Sequence, residues 1–384
     1  MKKDIGIGLL GFGAMGKVHS YCVDNLKYFY NDLPFSASIR GVCTTSAERS
    51  ADIAKKYQLG AAATEDELLC RDDIDVIAIC TPNALHYETL KKAIAAKKSI
   101  YCEKPLCLNY KEAREIAEMS REAGVVCNIV FNNRHLAPIM RAKELIDEGA
   151  LGRILSFSCE YLHNSVLDTA KPAGWKQRRD VCGGGVLVDL GSHCIDLMYF
   201  LCGRFDSVTG MSQIAFPERA GADGSLWRTD ADEACYMLCN MQNGAKGTIS
   251  VSKIACGTND DLRFSIYGEK GSISFSLMQP NFLRFYDGSV PTPALGGLCG
   301  YRDIECVGRY PAPAVFPAPK APSSWIRGHV QSMYDFLCAV HSGESSSPDF
   351  SDGAYVQAVM DAAYLSDAER RTVRISEIEK SYNG

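Results

Sequence analysis

Over the first 130 residues, short β-rich runs alternate with amphipathic stretches. The runs are IGIGLLG (5–11), SIRGVCT (38–44), DVIAIC (75–80), SIYCE (99–103) and VVCNIV (125–130). Between them, segments such as SAERSADIAKKY (46–57) and LNYKEAREIAEMSREAG (108–124) carry apolar residues at the spacing of one helix face, and Gly124 ends the second. Strand, helix, strand repeated in this way predicts a parallel sheet covered on both faces, the doubly wound arrangement.

After residue 150 the rhythm changes. RILSFSCEYLH (153–163), FDSVTGMSQIAF (205–216), ACYMLCNMQNGAKGTISVSKI (234–254), LRFSIYGEKGSISFSL (262–277) and NFLRFYDG (281–288) read as strands with partial alternation. Turn signals join them, Gln242-Asn243-Gly244 and Gly268-Glu269-Lys270-Gly271 among them. Consecutive hairpins predict a mostly antiparallel sheet, preceded by a helix over Val186 to Leu201. Eight of the fifteen prolines lie between Pro280 and Pro322, so that stretch is expected to be irregular. Helical patterns close the chain around Trp325 to His341 and Asp352 to Arg370. The expected division is a first domain over 1–130 and an α+β domain over 131–384, with the C-terminal helices able to pack back on the first.

At 384 residues the chain exceeds the size at which one core usually keeps growing, in keeping with two domains. A net charge of -5, with no basic stripe, argues against nucleic acid as a partner. The N-terminal MKKDIGIGLLGFGAMG superficially resembles a signal peptide, but glycines interrupt it and no cleavage site follows, so a strand and turn is the expectation. Lacking a long uninterrupted apolar stretch, the chain is expected to need no membrane and to be cytoplasmic. Seventeen cysteines, an odd number without a C-x-x-C pair, are expected to be reduced thiols, mostly packing as small hydrophobes. Neither H-E-x-x-H nor paired-cysteine spacing occurs, so no metal is expected.

The first β-run leads into Gly11-Phe12-Gly13-Ala14-Met15-Gly16, a G-x-G-x-x-G between a strand and a helix. The glycines permit a tight turn, close approach to a pyrophosphate and close helix packing, while the helix N-terminus attracts the anion. At the end of the second run, where a carboxylate would bind the 2'-hydroxyl of NAD, stand Thr44, Thr45 and Ser46, with Arg49 a turn later. Hydroxyls and a guanidinium suit a 2'-phosphate, which tips the NAD(P) expectation slightly toward NADP. The alternative is that Ser46 merely caps the helix and Arg49 is solvated.

Four stretches, GFGAMGKVH (11–19), TPNALHYET (81–89), CEKPL (102–106) and GGGVLVDLGSHCIDLMYFLCG (183–203), together resemble the glucose-fructose oxidoreductase, inositol dehydrogenase and MocA (Gfo/Idh/MocA) family of NAD(P)-dependent oxidoreductases. The resemblance implies a Rossmann domain followed by an α/β domain with an open, largely antiparallel sheet, an active site between them, and subunits paired through that sheet as a homodimer or homotetramer. It places Lys104 near the nicotinamide, with a cis bond to Pro105. It puts Thr81, Pro82, Asn83 and His86 near the cofactor, with packing alone the alternative for His86, and Trp175 and Lys176 in the substrate pocket; Glu103 either holds local geometry or contacts the cofactor. His19 and Arg134 have family-like settings, with a structural role as the alternative for each, and Asp196 is expected to support its helix.

Asp189 and His193 are four apart, so on an α-helix their side chains can meet. A carboxylate beside an imidazole suits proton transfer near neutral pH, and the family uses the matching positions in that way. Oxidising a carbinol requires a base at the hydroxyl. His193 is the expected acid/base, Asp189 its orienting partner, and Lys104 a donor to the same oxygen, with the division between Lys104 and His193 open. The expected substrate is a sugar, inositol or related polyol. Two other readings share the fold: a non-catalytic dinucleotide or sugar-binding regulator, against which the joint presence of Lys104, Asp189 and His193 argues, and an NAD-dependent glycosidase, which the D-x-G-x-H pattern resembles less than it does the dehydrogenases.

Overall fold

The computed structural model describes residues 2–59, 61–62, 64–221, 224–318 and 320–381. Both chain ends, and Pro319 of the proline-rich stretch, lie outside the described residues. The chain divides into two compact units, one of residues 1–132, 310–319 and 326–355, the other of 133–309, 320–325 and 356–384.

The first unit is built on β1 (Lys3–Leu10), β2 (Phe35–Cys43), β3 (Ala61–Ala62), β4 (Val76–Ile79), β5 (Ser99–Cys102) and β6 (Cys127–Ile129). They run parallel in the order β3-β2-β1-β4-β5-β6. Strand order reverses between β1 and β4, and open α/β sheets bind ligands beyond the carboxyl ends of the strands at such a point. Every residue of β4 is buried, which is why its sequence shows no alternation. The crossover helices α1 (Ala14–Phe29) and α2 (Ala47–Tyr57) follow β1 and β2. Asn109 caps the helix Tyr110–Ala123, and Gly124, at φ 66°, ends it in the left-handed conformation that glycine adopts without strain.

One layer over this sheet comes from far along the chain. Val330, Met333, Phe336, Leu337 and Val340 of the helix Trp325–Ser342 join Ile5, Ile7, Phe35, Val76 and Tyr101 in one core. Part of the proline-rich stretch is fastened beside it. Val315 N–H donates to Phe29 O at 2.8 Å, and the buried Arg327 guanidinium lies 3.6 Å from the centre of the Tyr310 ring while donating to Tyr30 Oη at 2.9 Å.

The second unit contains β7 (Ile154–Leu162), β8 (Phe205–Gln213), β9 (Glu218–Ala220), β10 (Leu226–Arg228), β11 (Ala234–Met241), β12 (Lys246–Ser252), β13 (Asp261–Gly268), β14 (Gly271–Ser276), β15 (Phe282–Asp287), β16 (Tyr301–Glu305) and β17 (Val373–Arg374). β9 and β10 form a separate ribbon, and the other nine make one sheet ordered β16-β15-β14-β13-β7-β12-β11-β8-β17. Only β7 and β12 pair in parallel. The proline-rich stretch is thus not wholly irregular: Tyr301–Glu305 pairs with β15, and Arg284 on β15 stacks on Tyr301. Along β11, Cys235, Met237 and Cys239 are buried while Tyr236 and Leu238 are exposed, the period-two signature of a sheet covered on one face. The buried helix Ser192–Cys202 contributes Cys194, Ile195, Leu197 and Met198 to that core and contacts β7.

Two ion pairs are sealed inside this unit. Arg134 Nε reaches both oxygens of Asp196 at 3.0 Å, and Arg219 pairs with Glu233, whose other oxygen accepts the Ala215 and Phe216 N–H groups at 2.8 Å. Removing one member leaves a desolvated charge, so Glu233→Ala is expected to cost about 3–5 kcal/mol of stability. The shift of the urea unfolding midpoint measures it, and a loss below about 1 kcal/mol would contradict this reading of the pair.

Candidate functional site

In the phosphate loop, the three glycines are required for three different reasons. Gly11 sits at φ 87°, and a Cβ there would lie 2.6 Å from Cys80 O at the end of β4. At Gly16 a Cβ would meet Gly11 O at 2.5 Å, so α1 could not start against the end of β1. At Gly13 a Cβ would meet nothing within 4 Å: the space is open, as it must be where backbone approaches a ligand. Gly13 caps α1 without a side-chain acceptor, leaving first-turn N–H groups for an anion. Phe12 is buried against Tyr57, so only its backbone is available, whereas Ala14 is exposed and Met15 half-buried.

At the end of β2, Ser46 Oγ accepts the Arg49 N–H at 3.2 Å and caps α2. Thr44 is tied by backbone and hydroxyl to Ser50 at 2.9 and 3.1 Å, while Thr45 and Arg49 are exposed.

The loops after β4 and β5 are joined by His86. Its Nδ1 lies 2.9 Å from Pro105 O and its Nε2 3.0 Å from Thr81 O. Burial pulls the His86 pKa below its ordinary value, against the opposing pull of these carbonyls. Thr81 Oγ1 is buried without a hydrogen-bond partner, Pro82 is half-buried, and Asn83 is buried at the start of the turn Asn83–Leu85. Glu103 Oε1 lies 2.9 Å from His19 Nε2, which ties the end of β5 to α1, and His19 Nδ1 lies 3.2 Å from Cys80 Sγ. The next residue, Lys104, is half-buried and joined to Pro105 by a cis bond. Burial raises the thiols of neighbouring Cys102 and Cys107 well above their ordinary pKa, in keeping with packing.

In the second unit the glycine run is seated on one carboxylate. Buried Asp232 accepts Gly185 N–H at 2.8 Å and Tyr364 Oη–H at 2.6 Å on Oδ1, and Leu187 N–H at 2.9 Å on Oδ2. A Cβ at Gly185 would fall 2.0 Å from Asp232 O, and one at Gly184 2.2 Å from Tyr364 Oη, so neither position admits a side chain. The segment leaves this seat as a π turn, Leu187–Gly191, before the α-helix Ser192–Cys202.

That turn carries Asp189, and buried His193 stands on the helix. Asp189 is gripped by two lysines. Lys176 Nζ reaches both carboxylate oxygens at 2.9 Å, and Lys253 Nζ reaches Oδ2 at 3.0 Å. Lys176 is exposed and lies 5.7 Å from the ring centre of exposed Trp175, while the Lys253 side chain is only 9% exposed.

Beside His193, the Tyr161 ring lies edge-on at 6.0 Å between centroids. Tyr161 Oη donates to Asp260 Oδ1 at 2.6 Å, and His163 Nε2 lies 2.9 Å from the same oxygen. Burial of Asp260 works against its ionisation, but the hydrogen bonds from His163 and Tyr161 and the charge of the two histidines prevail and lower its pKa. Burial, followed by the Asp260 charge, raises the Tyr161 hydroxyl far above its usual range.

Sequence reasoning missed Lys253, Tyr161, His163 and Asp260. Lys253 had a signal: like Lys104, it is a lysine at the end of a β-run, directly after β12. The Tyr161 and His163 side chains meet Asp260 across the turn of the sheet, about a hundred residues later in the chain, so no local pattern marks them.

Residues 5–131 match the family described as "Oxidoreductase family, NAD-binding Rossmann fold", and residues 139–274 match "GFO/IDH/MocA C-terminal domain". Among curated proteins, the chain is similar to levoglucosan dehydrogenase of Pseudarthrobacter phenanthrenivorans (29% identity, covering 98% of this chain and 99% of the relative). It is also similar to inositol 2-dehydrogenase of Rhizobium meliloti (26% identity, 97% and 99% covered). A solved structure described as levoglucosan dehydrogenase in complex with NADH and levoglucosan has a TM-score of 0.92 at 29% identity, over 97% of this chain and 100% of that one.

The open space at Gly13, the uncapped helix start and the orphan Thr81 hydroxyl fit a dinucleotide at this loop. Gly13→Ala is expected to leave thermal stability within about 1 kcal/mol of the parent yet weaken NAD binding at least tenfold by calorimetry. Gly16→Ala should lose both. Unchanged NAD affinity in a folded Gly13→Ala protein would contradict the loop's assignment.

Proposed function

The chain belongs to the GFO/IDH/MocA family of NAD-binding oxidoreductases, and from that premise we propose that it transfers a hydride between the nicotinamide and a carbinol or ketone carbon of a sugar, inositol or related polyol. The reading is carried by Lys104, placed after the carboxyl end of β5, next to the strand at which the sheet order reverses. Similarity to a levoglucosan and an inositol dehydrogenase supports the substrate class.

In this proposal residues 1–130 bind the dinucleotide and 131–384 carry the substrate residues. The backbone of Gly11 to Gly16 holds the pyrophosphate, Thr44, Thr45, Ser46 and Arg49 line the ribose end, and Thr81, Pro82, Asn83, His86, Glu103 and Lys104 shape the nicotinamide end. When bound, the nicotinamide supplies the hydride acceptor or donor. His193 takes the carbinol proton in oxidation and returns it in reduction, Asp189 orients its imidazole, and Lys104 donates a hydrogen bond to the oxygen on which negative charge develops. Trp175 and Lys176 face the sugar. Exposed Met211, Tyr236 and Leu238 on the open sheet face are consistent with a homodimer or homotetramer.

Incubation with NAD or NADP and a panel of sugars and polyols, followed by the absorbance of reduced nicotinamide, tests the activity. Lys104→Ala and His193→Ala are each expected to lower kcat about a hundredfold or more while NAD binding stays nearly unchanged. Near-normal turnover in both would sink the assignment.

For the ribose end we propose that NADP is accepted in preference to NAD, since no carboxylate closes β2 and Arg49 is exposed there. Arg49→Ala should then lower kcat/KM for NADP about tenfold and leave NAD within about twofold, a loss characteristic of one charge-assisted contact. Equal effects on both cofactors would rule against Arg49.

A further inference from the structure

Lys253 lies outside every motif of the sequence and carries a buried ammonium. Its backbone is pinned on both sides: Lys253 N–H donates to Glu233 O at 2.8 Å, and Lys253 O accepts Val166 N–H at 3.2 Å. Glu233 is itself held by Arg219, and Arg219 donates to Val166 O at 2.7 Å, so three buried chains brace the root of this side chain. From that root the ammonium reaches Asp189 Oδ2 at 3.0 Å.

Asp189 therefore has two cationic partners of opposite character. Lys176 stands 48% exposed on a one-turn segment, where water competes for its ammonium and side-chain entropy opposes a fixed pair. Lys253, at 9% exposure, has lost its water and gains charge compensation from Asp189. An exposed partner can be exchanged, while a buried one must stay.

We propose that Lys253 is the positioning residue of Asp189, a fixed counter-charge that holds the carboxylate oriented and ionised, while exposed Lys176 leaves it to engage the substrate. The inference rests on the proposed role of Asp189. A sugar hydroxyl can then donate to Asp189 Oδ1 in place of Lys176, with the Oδ2 contact to Lys253 unbroken. The bound substrate thereby faces a neutral Asp189–Lys253 pair rather than a bare carboxylate. That arrangement suits an uncharged polyol, whose hydroxyls are donors without a charge to be matched.

The proposal separates the two lysines kinetically. Lys176→Ala should raise KM about tenfold with kcat within about threefold, because a substrate contact is lost. Lys253→Met should lower kcat about thirtyfold or more with KM little changed, because Asp189 loses its anchor. The same variant should move the acid limb of the kcat/KM profile to higher pH. Removing a positive neighbour disfavours the carboxylate's charged form, so Asp189 then takes up a proton at a higher pH. Lys176 contacts Asp189, Tyr161 and Cys182 feel its charge, Asp232 acts on Cys182 as well, and all of these, with His193 four residues on, are retained in the variant.

The assay uses the full chain with NAD and the best sugar of the panel. Lys253→Arg, which keeps the charge, should recover at least a third of the lost turnover and the parental pH profile. If the Met protein fails to bind NAD, and so to fold, Lys253→Gln takes its place with the same expected result. A folded Met or Gln variant with parental kcat and an unmoved acid limb overturns the proposal. Asp189→Asn separates this from failure of the underlying reading: normal turnover there removes the catalytic role of Asp189, whereas a dead Asn variant beside a normal Met variant removes Lys253 alone.

Discussion

A carboxylate withdrawn from water has to be met by donors, and Asp232 is where the second unit meets that demand. Its two oxygens are filled by Gly185 N–H, Leu187 N–H and the Tyr364 hydroxyl. The requirement brings the chain so close to Asp232 that a Cβ at position 185 would strike its backbone, while one at 184 would strike the Tyr364 hydroxyl and Val188. It also decides where the π turn begins, and so where Asp189 stands and how the helix bearing His193 departs. Unsatisfied, the same carboxylate would cost more than any one of these contacts returns. The glycine run is thus the imprint of a distant acid rather than a flexible hinge.

The first unit solves a related problem with backbone alone. Gly11 lets the ends of β1 and β4 touch, Gly16 lets α1 start against that contact, and Gly13 keeps the approach to the helix start open. His19 and Glu103 then tie α1 to the end of β5, and His86 ties the loop after β4 to Pro105. The loops at the carboxyl ends of β1, β4 and β5 are thereby joined to one another. Lys104 is placed by that assembly, not by its own strand.

Much of this was legible in the sequence, for physical reasons that also explain the failures. Strands such as DVIAIC, buried along their length, announce themselves by continuous apolar residues, and the hairpin around Asn243-Gly244 by its turn chemistry. The π turn has no such signal, because its apolar spacing resembles an α-helix until the hydrogen bonds are seen. The apolar face of Trp325–Ser342 was visible and its return to the first domain was allowed for, but nothing local marked the contacts that fix it there, which lie hundreds of residues apart. Tyr301–Glu305 was hidden by the prolines around it, although its pairing with β15 needs no special residue. At the site, Asp189 and His193 were found by spacing, while the lysines gripping Asp189 were not: Lys176 was read for the substrate alone, and Lys253 was passed over although it ends a strand as Lys104 does.

The central claim is that this chain moves a hydride directly between a sugar carbinol and nicotinamide. The most direct measurement supplies NAD or NADP with a polyol deuterated at its carbinol carbons and analyses the recovered nicotinamide by mass spectrometry. The account expects the reduced nicotinamide ring to carry deuterium taken from the substrate. Reduced cofactor free of deuterium, or a protein that binds NAD or NADP yet reduces neither across the sugar panel, would contradict it.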